Sequence, residues 1–182
     1  MVRTSAISQP IRNAWTFCPK CGSRSRKKGR HPFECSACGF THFFGPVSAV
    51  GAIVCDASGQ VLLLVRARDP GKGRYGLPGG FIDPGETAEE ALGREVREEI
   101  GLTLKSQRYL ATFPNEYTFH GFVLPVTDMF FVAEVESFDG MVASDGEIDA
   151  WHFCHPGPSE LRRMAFKSNR RALKLFLDTR ES

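Results

Sequence analysis

Residues 80–102 read GFIDPGETAEEALGREVREEIGL, and this stretch limits what the chain can fold into more than any other. Gly80 is followed by Glu86, and Glu86 by the run Arg94, Glu95, Val96, Arg97, Glu98, Glu99, Ile100, Gly101 and Leu102. Thr87 with Glu90 is a capping box and predicts a helix start. Ala88, Ala91, Leu92, Val96 and Ile100 recur at the three- and four-residue spacing of an amphipathic helix. Gly101 predicts its end. At about 100° per residue, Glu95, Glu98 and Glu99 share an arc of roughly 100°. Leu92, Val96 and Ile100 occupy the adjacent arc and face a core.

Three carboxylates on one side of a helix repel by about a few tenths of a kcal/mol per pair. Arg94 and Arg97 relieve part of that. A hard divalent cation relieves it better, and oxygen-only ligation suits Mg²⁺ or Mn²⁺. A solvated acidic face is the plainer account of such a run. It leaves unexplained the glycine-rich loop before the helix and the placing of Glu86.

The stretch resembles the Nudix box, matching it at Gly80, Glu86, Arg94, Glu95, Val96, Glu98, Glu99, Gly101 and Leu102. The resemblance implies an α/β fold, the Nudix α/β/α sandwich with a mixed sheet. It also implies a Mg²⁺-dependent hydrolase that cuts the pyrophosphate of a nucleoside diphosphate derivative. By the same resemblance Glu95 and Glu99 are metal ligands with Glu98 beside them, and the carbonyl of Gly79 completes the shell. Glu147, in an acidic turn entering an aromatic strand, is a further metal ligand or base. The implied catalytic set is Glu98, Glu147, Glu95 and Arg94. Either Glu98 or Glu147 takes a proton from the attacking water, and Arg94 with Glu86 fixes the loop against the helix.

Ahead of the box lie two CxxC knuckles, Cys18 and Cys21, then Cys35 and Cys38, each followed by a glycine. Thirteen residues separate them, close to zinc-ribbon spacing. Four thiolates suit a closed, structural Zn²⁺ site; disulfides or a redox pair are the alternatives. The expected organisation is a flexible arm over residues 1–17, a zinc ribbon over 18–43 and a Nudix domain over 44–182. Arg24, Arg26, Lys27, Lys28 and Arg30 lie between the knuckles. No aromatic residue interleaves in that run, which therefore reads as an exposed hairpin tip rather than a stacking platform.

Strands are expected over residues 47–56 and 61–66, joined as a hairpin, and over 103–113 and 123–135. A last helix is expected over 159–178, capped by Ser159. The basic, glycine-rich loop of residues 66–81 can meet a diphosphate, with Arg68 and Arg74 as candidates. Residues 114–121 read as a polar-aromatic loop. It falls where the family lines its substrate pocket, so Tyr117 and Phe119 are candidates to stack on a base.

A net charge of +2 demands no polyanionic partner, so nucleic acid is not an expected partner. No apolar run is long enough to span a membrane, and residues 1–17 lack an apolar leader core. Cysteines in CxxC pairs favour a reducing, cytoplasmic setting. A ribbon before a Nudix domain resembles the NADH pyrophosphatase branch, which implies NADH, NAD⁺ or ADP-ribose as substrate and a homodimer as an assembly. That branch carries a Ser-Gln-Pro-Trp-Pro-Phe-Pro signature where this chain has Ala111 to Tyr117 (ATFPNEY). The alternative is a nucleotide-sensing Nudix regulator whose ribbon binds nucleic acid or protein.

Overall fold

The computed structural model describes residues 8–180. The chain divides into two compact units, one formed by Met1–Pro46 with Glu116–Pro125, the other by Val47–Asn115 with Val126–Ser182.

In the smaller unit, β1 (Gln9–Pro10) pairs in parallel with Phe122 and Val123, and a 3-10 turn follows over Ile11–Ala14. Part of the arm expected over residues 1–17 lies outside the described residues. From Gln9 onward it takes regular structure, because Trp15 has a core to join. Its ring stacks on His42 at 4.4 Å and meets Phe33 and Phe44 edge-on at 5.4 and 4.9 Å. The two knuckles repeat one turn. Gly22 N–H donates to the Cys18 carbonyl and Gly39 N–H to that of Cys35, both glycines at a φ of 72°. This left-handed conformation is readily reached only without a side chain. β2 (Phe33–Glu34) and β3 (Thr41–His42) pair antiparallel.

The larger unit is a sandwich whose strands alternate side chains between two cores. Its elements are β4 (Val47–Val54), β5 (Val61–Arg66), β6 (Tyr75–Gly76), α1 (Ala88–Ile100), β7 (Leu104–Phe119), β8 (Phe122–Val135), β9 (Ile148–Cys154), α2 (Pro158–Arg163) and α3 (Lys167–Arg180); the far ends of β7 and β8 belong to the smaller unit. Ala52 and Val54 of β4, Leu62 and Leu64 of β5, and Phe131 and Ala133 of β8 pack with Leu92, Val96 and Ile100 of α1. Their neighbours Ile53, Val61, Leu63 and Phe130 pack with Leu173 and Phe176 of α3. The period of two is that of a strand buried on both faces. Truncating a fully buried residue such as Leu92 to alanine costs about 2–5 kcal/mol.

β4 and β8 run parallel from Val47 opposite Val126 to Val54 opposite Ala133, and β7 pairs with β8. β5 lies between β6 and β9, antiparallel to both. The expected hairpin of the first two strands is therefore divided between two sheets. The turn between them forms as expected, with Asp56 accepting the amides of Ser58 and Gln60, but only Cys55 and Val61 bridge. β4 cannot pair further with β5, because its second edge holds the glycine loop. The amides of Val50 and Ala52 donate to the carbonyls of Gly80 and Pro78, and that of Ile82 to Ser48.

The loop expected over residues 114–121 is strand as far as Phe119, and His120 and Gly121 alone make the turn, at φ of 46° and 81°. Tyr117, Thr118 and Phe119 favour strand. Pro114 is tolerated because, among the described residues, β7 pairs on one side, with β8. The single last helix expected is two. The chain leaves helical geometry at Met164, where Ala165 N–H donates to the Tyr75 carbonyl at 2.7 Å, and the amide of Gly157, one residue ahead of α2, donates to Glu160 at 2.8 Å. Among the described residues no helix is long and apolar enough to cross a membrane.

Candidate functional site

α1 begins and ends as its sequence requires. Thr87 and Glu90 exchange both capping bonds, and Gly101 closes the helix at a φ of 72°. Fixing these ends fixes the rotation of the helix. Ala91, Leu92, Val96 and Ile100 are buried, and Glu99 is carried inward with them, at 8% exposure.

Glu99 meets the glycine loop there, accepting the Gly79 N–H at 2.8 Å. Gly79 sits at a φ of 141°, and a Cβ on it would collide with the Val50 carbonyl. A Cβ on Gly80 would fall onto the Glu95 carboxylate. Gly79 is thus required by the close approach of loop and β4, and Gly80 leaves room for the Glu95 carboxylate. Burial pushes the Glu99 carboxyl up to about 8; the Gly79 amide opposes this, and the charges of Glu95 and Glu147 add to it. Burial likewise raises Glu95, with Glu98 and Glu147 adding to the effect against the pull of Arg94. The Glu95 and Glu99 carboxyls thus both resist ionising, chiefly because they are buried.

Arg94 joins loop and helix. It grips Glu86 through Nε and Nη2 at 2.8 and 2.9 Å, the Phe81 carbonyl at 3.0 Å, Glu95 at 2.8 Å and Glu98 at 3.2 Å. The Arg94 hydrogen bonds, helped by the Asp83 amide, pull Glu86 down to about 2.

Glu147 stands just ahead of β9, as its sequence context suggests. Its carbonyl accepts the Ala67 amide at 2.8 Å, and its carboxylate pairs with Arg68. Arg74, the other candidate for phosphate, is committed elsewhere. Its guanidinium donates to the carbonyls of Arg162 and Arg163 at the end of α2, where a basic loop meets unsatisfied helix carbonyls. Tyr117 and Phe119 lie in the smaller unit, on β7; Phe119 is exposed and its ring meets His120 at 4.2 Å.

Two groups escaped the sequence reading. Arg66, the last residue of β5, adds a positive charge that slightly opposes the rise at Glu99, and its Nε donates to the Pro70 carbonyl; its place at the end of a buried strand was the available signal. Asp128 is buried on β8, its carboxyl raised by burial against hydrogen bonds to Ser168 and Asn115. Only its strand position was legible beforehand.

The residues suit a divalent cation by chemistry. The donors are hard oxygens, the charged forms of Glu95 and Glu99 are disfavoured by burial and by neighbouring carboxylates, and Gly80 leaves the space beside Glu95 free of a side chain. The carboxylates do not themselves converge, since Arg94 draws Glu95 and Glu98, Arg68 draws Glu147, and the Gly79 amide holds Glu99.

The cysteines do converge. The Sγ atoms of Cys18, Cys21, Cys35 and Cys38 all lie within 4.8 Å of one another, with Cys18 and Cys38 at 3.8 Å and Cys21 and Cys35 at 3.7 Å. Four sulfurs at about 2.3 Å from a tetrahedral centre stand about 3.8 Å apart, the arrangement of a zinc thiolate site. Amides of Ala37 and Cys38 point at the Cys35 sulfur and lower its pKa, which favours the thiolate a metal needs.

The chain resembles known proteins in sequence and in fold. The NAD-capped RNA hydrolase NudC of Haemophilus influenzae is 31% identical over 147 residues, covering 78% of this chain and 52% of that protein. The ADP-ribose pyrophosphatase of Methanocaldococcus jannaschii is 41% identical over 71 residues, 39% of this chain and 41% of that protein. The chain spans about half or less of the length of these curated relatives. A crystal structure of a Nudix hydrolase from Nitrosomonas europaea superposes with a TM-score of 0.66 at 24% identity, covering 91% of this chain and 92% of that one. The NUDIX domain model matches residues 45–176, the part of the chain that carries the glycine loop, the acidic helix and Glu147, and the chain belongs to the Nudix family.

Proposed function

We propose that this chain is a Mg²⁺- or Mn²⁺-dependent hydrolase of the pyrophosphate bond in a nucleoside diphosphate derivative. The substrate is NADH, NAD⁺ or ADP-ribose and a product is a nucleoside monophosphate. The observation that carries the reading is the fastening of the acidic helix to the glycine loop, with Glu99 held by the Gly79 amide at 2.8 Å and the Glu95 carboxylate lying against Gly80. The names of two relatives, a hydrolase of NAD-capped RNA and an ADP-ribose pyrophosphatase, support the substrate class.

Glu95 and Glu99 hold the cation, with Glu98, Glu147 and the Gly79 carbonyl as the other oxygen donors. When bound, it offsets the charge of the diphosphate oxygens and lowers the pKa of water. The attacking water gives its proton to Glu98 or Glu147 as its oxygen bonds to phosphorus, the phosphoanhydride P–O bond breaks, and the leaving phosphate oxygen keeps the electron pair. Arg68, released from Glu147, can offer its guanidinium fork to a phosphate. Arg94 and Glu86 position the helix and touch no substrate. The cysteine quartet holds a structural Zn²⁺ and takes no part in the chemistry.

Incubation with Mg²⁺ and a panel of NADH, NAD⁺, ADP-ribose, nucleotide sugars and nucleoside triphosphates tests the reading by release of AMP or phosphate. Cleavage of a dinucleotide or of ADP-ribose supports it. No cleavage of any member favours the regulator.

A further inference from the structure

Residues 1–46 hold eight of the chain's 23 Lys and Arg but only one of its 21 Asp and Glu, a net +7 set against −5 for the remainder. Charge segregated in this way is the footprint of a polyanion-binding part. In sequence the basic run of Arg24, Arg26, Lys27, Lys28 and Arg30 has no aromatic within it. The fold supplies two. Phe17 bridges Arg24 across the first knuckle, so the two side chains share a face. Phe17 is 58% exposed. At the other end of the run, His31 stands beside Phe43, with ring centroids 6.2 Å apart and Phe43 68% exposed. All five cations, which lie between these rings in the sequence, are exposed. Among the described residues the one carboxylate paired with any of them is Glu34, on Arg30 at 3.7 Å.

We propose that this ring–cation–ring surface of the four-cysteine unit grips single-stranded RNA. Exposed rings suit unstacked bases, and the cations between them suit the intervening phosphates. A duplex keeps its bases stacked and offers the rings nothing. A membrane surface is not matched, because among the unit's described residues the helical structure is the short 3-10 turn Ile11–Ala14, with no amphipathic helix. The choice of RNA rests on the proposed function through one supporting relative, named a hydrolase of NAD-capped RNA; the surface itself does not depend on it.

The test is fluorescence anisotropy of the full chain with a labelled 12-nucleotide oligouridylate carrying a 5′-hydroxyl. This probe has no pyrophosphate bond, so binding is read whether or not the acidic helix hydrolyses anything. Four unpaired cations predict a slope of log affinity on log salt of about −3, hence about a fifty-fold loss between 50 and 200 mM salt. Phe17→Ala and Phe43→Ala should each weaken binding on the order of tenfold. Lys27→Gln with Lys28→Gln should flatten the salt slope by about 1.4. Zinc content and NADH hydrolysis should stay at wild-type values in all three. Affinity untouched by both ring variants, or duplex RNA or anionic vesicles bound as tightly as the single strand, overturns the proposal.

Discussion

The backbone N–H of Gly79 donates to the Glu99 carboxylate at 2.8 Å, so the loop that precedes the acidic helix is fastened to that helix's last turn. Gly79 lies at a φ of 141° with the Val50 carbonyl against it. Gly79→Ala should therefore cost roughly 1–3 kcal/mol from backbone conformation alone, with the clash added. Thermal unfolding measures this, and an unchanged midpoint would show that the loop is not held as described.

Arg94 is a quarter exposed, and it satisfies three carboxylates and one carbonyl. Arg94→Ala should destabilise by roughly 1–3 kcal/mol. In a double-mutant cycle with Glu86→Ala the two losses should not add, because each removes the same fork. Additive losses would place their effects apart.

The pH dependence of that pair has a defined sign. Hydrogen bonds from Arg94 pull Glu86 down from 4.5 to about 2. A folded-state pKa below the unfolded value contributes stability fully above the unfolded value and loses it as pH falls through the folded one. The gap in unfolding temperature between the wild type and Glu86→Gln should thus be constant near neutral pH and narrow on acidification below about 5. A gap that widens on acidification would contradict the pairing.

The capping box, the αL glycine and the buried stripe of α1 are local devices, so the helix was readable residue by residue, as were the turns of the two knuckles. Glu147 was placed by its position ahead of an aromatic strand. What escaped depends on partners distant in the chain. The first two strands look like a hairpin until the glycine loop takes the second edge of β4. Arg74 looks like a phosphate ligand until the end of α2 offers it two carbonyls. Trp15 looks like part of a loose arm until His42, Phe33 and Phe44 surround it. The aromatic neighbours of the basic run lie outside it in sequence, Phe17 reaching it by a cross-strand bridge and Phe43 by its ring contact with His31.

The sulfur spacing predicts one zinc per chain. Cys35→Ser should remove the metal, measured by elemental analysis, and abolish the cooperative folding of the four-cysteine unit, as metal binding and folding are linked in such sites. Zinc retained at full occupancy in that variant would show that Cys35 is not a ligand.

The acidic site is tested most directly by initial rates of NADH and ADP-ribose hydrolysis with and without Mg²⁺, for the wild type, Glu98→Gln and Glu99→Gln. The predicted result is cleavage that needs the cation and falls at least about a hundred-fold in each variant, while the unfolding temperature of each stays near that of the wild type. Turnover without a divalent cation, or near-normal rates in both variants, would contradict the account.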